Sequence, residues 1–128
     1  MKTVIAGISM IATMLAGEPA VVSQTEVAEA VVGTSVVDRA PQGAASTFSR
    51  DVGTLYCFTR ITGSDGETVE HVWYHEGQEM ARVPLQIGGP DWRTWSTKRV
   101  VSDWTGSWRV DIQLGDGSVL QSVSFTVQ

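Results

Sequence analysis

Ser107-Trp108-Arg109-Val110-Asp111-Ile112-Gln113-Leu114 is the stretch on which the fold turns. Trp108, Val110, Ile112 and Leu114 alternate with Arg109, Asp111 and Gln113, a period of two that puts successive side chains on opposite faces of a strand. The segment therefore predicts a half-buried strand with its apolar row turned inward.

Working outward, Gly115-Asp116-Gly117 is a hairpin signal, and Ser118 to Val127 returns with Val119, Val123, Phe125 and Val127 on one face. Upstream, Trp92 to Val101 is extended, and Gly88-Gly89-Pro90 separates it from Glu79 to Ile87. In that strand Ala81, Val83, Leu85 and Ile87 share a face, and Pro84 suits an edge where a missing amide costs nothing. Glu76-Gly77-Gln78 turns the chain from Thr68 to His75, and Gly63-Ser64-Asp65-Gly66 closes Thr54 to Ile61. Leu55, Tyr56, Cys57 and Phe58 are apolar on both parities, so Thr54 to Ile61 is expected to be central and covered on both sides. Ala30 to Val37 is the first candidate strand, broken by Asp38-Arg39-Ala40-Pro41. About seven short strands with frequent turns and no amphipathic helix predict an all-β fold, an antiparallel β-sandwich over residues 31–128.

The chain has 128 residues, five tryptophans, thirteen glycines and a formal net charge of −5. One domain fits that length. Its basic residues are scattered apart from Lys98 and Arg99, so no stripe exists to neutralise phosphates and nucleic acid is not an expected partner. A single cysteine, Cys57, excludes an intramolecular disulfide and any paired-cysteine metal site.

Met1 and Lys2 followed by the uncharged run Thr3 to Gly17 read as an export signal, and residues 1–20 are assigned to a signal peptide or membrane anchor. The run is short for a spanning helix, which needs about 20 apolar residues, so cleavage is favoured over anchoring. Residues 21–30, acidic and small, are expected to be a solvated linker. These features place the domain in the periplasm or outside the cell, free or tethered by its first segment, with no other membrane contact.

Cys57 in the second strand, Trp73 in the third, and Thr105-Gly106-Ser107-Trp108-Arg109-Val110 entering the sixth resemble an immunoglobulin-like domain. In that resemblance Trp108 stands for the corner tyrosine and Val110 for the second cysteine. The ordered set Asp38-Arg39-Ala40-Pro41, Leu55-Tyr56-Cys57-Phe58-Thr59, His71-Val72-Trp73-Tyr74, Trp92-Arg93-Thr94-Trp95-Ser96 and Thr105 to Val110 is similar, over Val31 to Val127, to a bacterial family known as domain of unknown function 2914. The resemblance implies a small exported or membrane-tethered β domain and transfers no catalytic residue.

The candidates for chemistry are few. His71 and His75 share a strand face but stand roughly 13 Å apart, too far to hold one metal ion without a third element. Cys57 with a histidine lacks an orienting group and access. Asp65, Asp91, Asp103 and Asp116 are accounted for by turns. No catalytic residue, metal or cofactor is expected. Trp92, Trp95, Trp104 and Trp108 cluster with Arg93, Lys98, Arg99 and Arg109. Trp92 and Trp95 must leave a strand on opposite faces, so at most one is inward. An outward tryptophan near the loop residue Trp104, with Arg93 beside it, would make a stacking platform for a sugar ring or a partner's side chain. The competing reading is that these indoles plug the ends of the fold, with arginine stems packed over them. The expected function is an exported, non-catalytic binding domain of the cell envelope taking protein or carbohydrate through Trp92, Trp95, Trp104 and Arg93. The alternatives are a structural spacer and, third, a hydrolase.

Overall fold

The computed structural model describes residues 24–128. The expected signal at 1–20 and the first residues of the linker lie outside them. Within the described residues the fold is all-β, with no helix. Its strands are β1 (Glu26–Gly33), β2 (Ser35–Val37), β3 (Ala40–Gln42), β4 (Thr47–Phe48), β5 (Gly53–Thr62), β6 (Thr68–His75), β7 (Gln78–Gln86), β8 (Asp91–Val100), β9 (Gly106–Leu114) and β10 (Val119–Val127).

One sheet has the order β1-β5-β8 and a second the order β4-β10-β9-β6-β7, while β2 and β3 form a separate hairpin. All pairings are antiparallel except that of β4 with β10. The two larger sheets turn their apolar rows toward each other. Leu55 and Cys57 of β5 share a cluster with Trp73 of β6, Trp108 and Val110 of β9, and Phe125 of β10. Ile61 packs with Val69, Ile87 and Ile112 in a second cluster. Burying such side chains contributes about 1.5–3 kcal/mol each. Phe58, on the opposite parity of β5, is buried as well, as expected of a strand covered on both sides.

Three expectations need correction. The first strand begins at Glu26 and ends at Gly33, so residues 26–30 belong to the sheet and not to a linker. Val27 and Ala30 pack on the second cluster across a bulge, and the acidic composition obscured that inward pair. Asp38 and Arg39, both at positive φ, are the turn of the β2–β3 hairpin, where a break had been expected. Val119 is 50 % exposed rather than inward. A bulge between Val119 and Gln121 switches the parity of β10, and Leu120 packs on the core in its place.

Candidate functional site

Between the sheets the polar side chains form a closed chain. Thr59 Oγ1 donates its hydrogen to the Thr94 carbonyl at 3.3 Å, so toward His71 Nε2 at 3.1 Å it accepts. That assigns the proton of His71 to Nε2 and leaves Nδ1 to accept from Ser96 Oγ at 2.7 Å, while Ser96 Oγ accepts from Trp73 Nε1 at 3.1 Å. His71, Thr59 and Ser96 are buried. Burial drives the His71 imidazole down to about 4 and pushes the Cys57 thiol up to about 12. Both groups are neutral and enclosed near pH 7. His75 donates from Nε2 to the Thr105 carbonyl at 2.7 Å and lies 4.7 Å from the Trp108 ring. Both histidines thus have hydrogen-bond partners within the fold. Among the described residues no group of three metal-ligating side chains converges.

The outer face of the five-stranded sheet is different. Arg82 of β7 bonds Glu79 at 2.9 Å and Glu70 at 2.9 Å, and Gln113 at 3.4 Å. Those carboxylates, Glu79 first, raise its pKa further. Beside this group Arg109 of β9 stacks 4.0 Å from the Tyr74 ring centroid, and its Nε donates to Asp111 at 3.1 Å. Asp111 is also held by Ser122 Oγ at 2.6 Å. Val72, in register with Arg82 on one side and Asp111 on the other, is fully buried beneath the layer.

Next to it runs a groove of about 470 Å³ lined by Tyr74, Arg109, Ser107, Ser124, Thr126 and Thr47, among others. The alternation of β9 and β10 puts Ser107, Ser124 and Thr126 outward, while the parallel pairing of β4 with β10 brings Thr47 alongside. The Glu76–Gly77 turn, with φ of 50° and 82°, closes one end. Glu76 fixes it to β9, accepting at Oε2 from Ser107 N at 2.5 Å. Arg109 keeps both Nη groups free of protein acceptors among the described residues.

The tryptophans expected to form a platform are separated. Trp92 packs against the Ile61 cluster with the Arg39 guanidinium 5.9 Å from its ring. Trp104 packs on the first cluster, 6.4 Å from Trp108, with Lys98 Nζ 5.0 Å from its ring. Trp95 leaves β8 on the opposite side from Trp92, stacks on Phe58 at 6.4 Å and is 37 % exposed. Arg93 shares the Trp95 face of β8 and is exposed. The four residues thus divide into an outward pair, Trp95 and Arg93, and two half-buried indoles on the core side.

Residues 66–127 match the pattern of a family described as protein of unknown function, DUF2914. No curated protein matches the chain. The DUF2914 segment takes in β6 through β10, hence Tyr74, Arg109, Ser124 and Thr126 of the groove and both outward residues of β8. Its match includes the runs His71 to Tyr74, Trp92 to Ser96 and Thr105 to Val110, and begins after Asp38 to Pro41 and Leu55 to Thr59. β5, the only strand neighbour of β8 among the described residues, lies outside the DUF2914 match.

The groove was missed in the sequence because its wall residues are serines and threonines from three strands and a loop. Tyr74 and Arg109 on outward parities were the available signal.

Proposed function

We propose that this chain is an exported, non-catalytic binding domain of the cell envelope, built as an immunoglobulin-like sandwich and holding a glycan in the groove beside Tyr74 and Arg109. Export rests on the Met1 to Gly17 segment of the sequence. The immunoglobulin-like reading is supported by the strand order, a three-stranded layer against a layer in which the last two long strands lie beside the third. Trp73 packs in one cluster with Cys57, and Trp108 Nε1 donates to the Trp104 carbonyl at 2.9 Å, the backward bond a corner tyrosine makes.

The observation that carries the ligand class is the chemistry of the groove. Its walls offer hydroxyls from Ser107, Ser124, Thr126 and Thr47, and the one cation among its described residues, Arg109, is already balanced by Asp111. A neutral ligand rich in hydroxyl groups meets donors and acceptors there without an uncompensated charge, whereas an anion would sit beside Asp111. The thiol and imidazole best suited to catalysis, Cys57 and His71, are enclosed in the core and have no path to that groove.

Glycan arrays and calorimetry with envelope polysaccharide fragments test the reading. Tyr74→Ala and Arg109→Ala should each weaken binding by roughly tenfold or more, about 1.4 kcal/mol. Absence of glycan binding, or binding indifferent to both substitutions, removes the glycan assignment.

A further inference from the structure

Among the described residues β8 is an unguarded sheet edge. It runs ten residues in unbroken register with β5 and has no other strand neighbour among them. The remaining edges are blunted: β7 carries Pro84 and a bulge opposite Trp73 and Tyr74, β1 has a bulge at Val27 and Glu29, and β4 is two residues long. The bond from Gly63 N to the Pro90 carbonyl sets the phase of the β5–β8 ladder. Antiparallel alternation then turns the backbone N–H and C=O groups of Arg93, Trp95, Thr97 and Arg99 to the open side. No backbone bond engages them there among the described residues.

A second observation points to the same place. On β6 and β9 the inward side chains opposite this region, His71, Trp73, Val110 and Ile112, are buried. On the neighbouring β7, Ala81, Val83 and Leu85 also face inward but are only half-buried. Among the described residues the three-stranded layer ends at β8, with no further strand to cover them.

We infer that the open edge of β8 takes an extended segment of a partner protein as an added antiparallel strand, with acidic residues opposite Arg93 and Arg99 and an apolar residue opposite Trp95. Charge selects the occupant. Arg93 and Arg99 lie on one face of β8, and among the described residues neither makes a close ion pair, although Asp91, itself paired with Arg60, interacts with Arg93 at longer range, whereas Arg60, Arg82 and Arg109 are each paired. A second copy docking β8 to β8 in the register that sets Trp95 opposite Thr97 would place Arg93 against Arg99, and like charges directly opposite are destabilising. An acidic strand meets them favourably. A β-branched residue over Trp95 forms the aromatic pair that stabilises cross-strand contacts, and the added strand's inner face covers Val83 and Leu85. This surface is separate from the groove and does not depend on the glycan assignment.

The test uses the whole chain and the labelled peptide Thr-Glu-Val-Thr-Val-Val-Val-Glu-Thr, whose glutamates have the spacing of Arg93 and Arg99, followed by fluorescence anisotropy. A version with lysines in place of the glutamates is the control. The glutamate peptide should bind and the lysine peptide should not. Thr97→Pro removes an outward amide at an edge position that tolerates proline, and should weaken binding by roughly tenfold or more. If that variant does not fold, the pair Arg93→Glu with Arg99→Glu still decides the matter, since preference should pass to the lysine peptide. Tyr74→Ala should leave peptide binding unchanged. Equal binding of the two peptides, no binding at millimolar concentration, indifference to the β8 substitutions, or a dimer of the chain that Thr97→Pro dissolves would each overturn the inference.

Discussion

Two polar networks, built from similar atoms, sit on opposite sides of the same sheet. The inner one runs from Trp73 through Ser96, His71 and Thr59 to the Thr94 carbonyl, and every donor in it has a single assigned acceptor. The outer one, from Glu79 through Arg82 to Gln113 and from Tyr74 through Arg109 to Ser122, keeps donors to spare. The difference is one of solvent. Between the sheets an unpaired group has no water to turn to, so the chain closes on itself and stitches β5 and β8 to β6. On the open face water takes the surplus, and whatever displaces that water can be recognised.

The largest expected effect comes from breaking the closed network. Ser96→Ala leaves the Trp73 indole N–H and His71 Nδ1 without partners, and should cost about 2–4 kcal/mol, read as a lowered urea midpoint at unchanged slope. A loss below about 1 kcal/mol would mean that the network relaxes like a surface one.

Acid sharpens the same comparison. His71 is held down at about 4 in the folded chain, while a histidine in the unfolded chain titrates near 6.5. Between those values the unfolded chain binds a proton that the folded one refuses, so stability is full above pH 6.5 and falls as pH drops toward 4. The loss should be on the order of 3 kcal/mol. Denaturation curves across that window measure it, and His71→Gln should flatten the slope. A wild-type slope matching that of the variant would place the proton elsewhere.

The smallest effect is expected outside. Arg82→Ala removes contacts to Glu79, Glu70 and Gln113, yet the side chain is 40 % exposed and its ion pairs are screened. The unfolding midpoint should barely move, and a large shift would show that the layer over Val72 is structural and not merely solvated.

Strand character was legible wherever alternation reached the side chains themselves. The facing of Ser107 to Leu114 and of Thr54 to Ile61 could be read directly, including the two-sided burial of Phe58, and so could the opposite orientations of Trp92 and Trp95, whereas the burial of Asp111 and Gln113 beside Arg109 and Arg82 could not. Pairing was not legible. The network joins Thr59, His71 and Ser96 from three strands, and nothing local marks a serine as the partner of an indole 23 residues away. β4 is too short to leave a periodic trace, so the side of the groove it supplies was invisible. Bulges at Val27 and at Val119 shifted parity by one residue, which composition does not announce. The scattering of the tryptophans had the same origin, because proximity in sequence on a strand means alternation in space.

The parallel pair of β4 with β10 joins segments far apart in sequence. Phe48 pairs with Val127, the Gln128 amide donates to the Phe48 carbonyl, and the Arg50 amide donates to that of Gln128. Ladders between segments so distant in sequence form slowly, because the intervening loop must close before any contact repays it. Until β10 arrives, β4 lacks its strand partner and β9 lacks one of its two neighbours. Removing β10 would therefore unpair β4 altogether and one side of β9 at the same time.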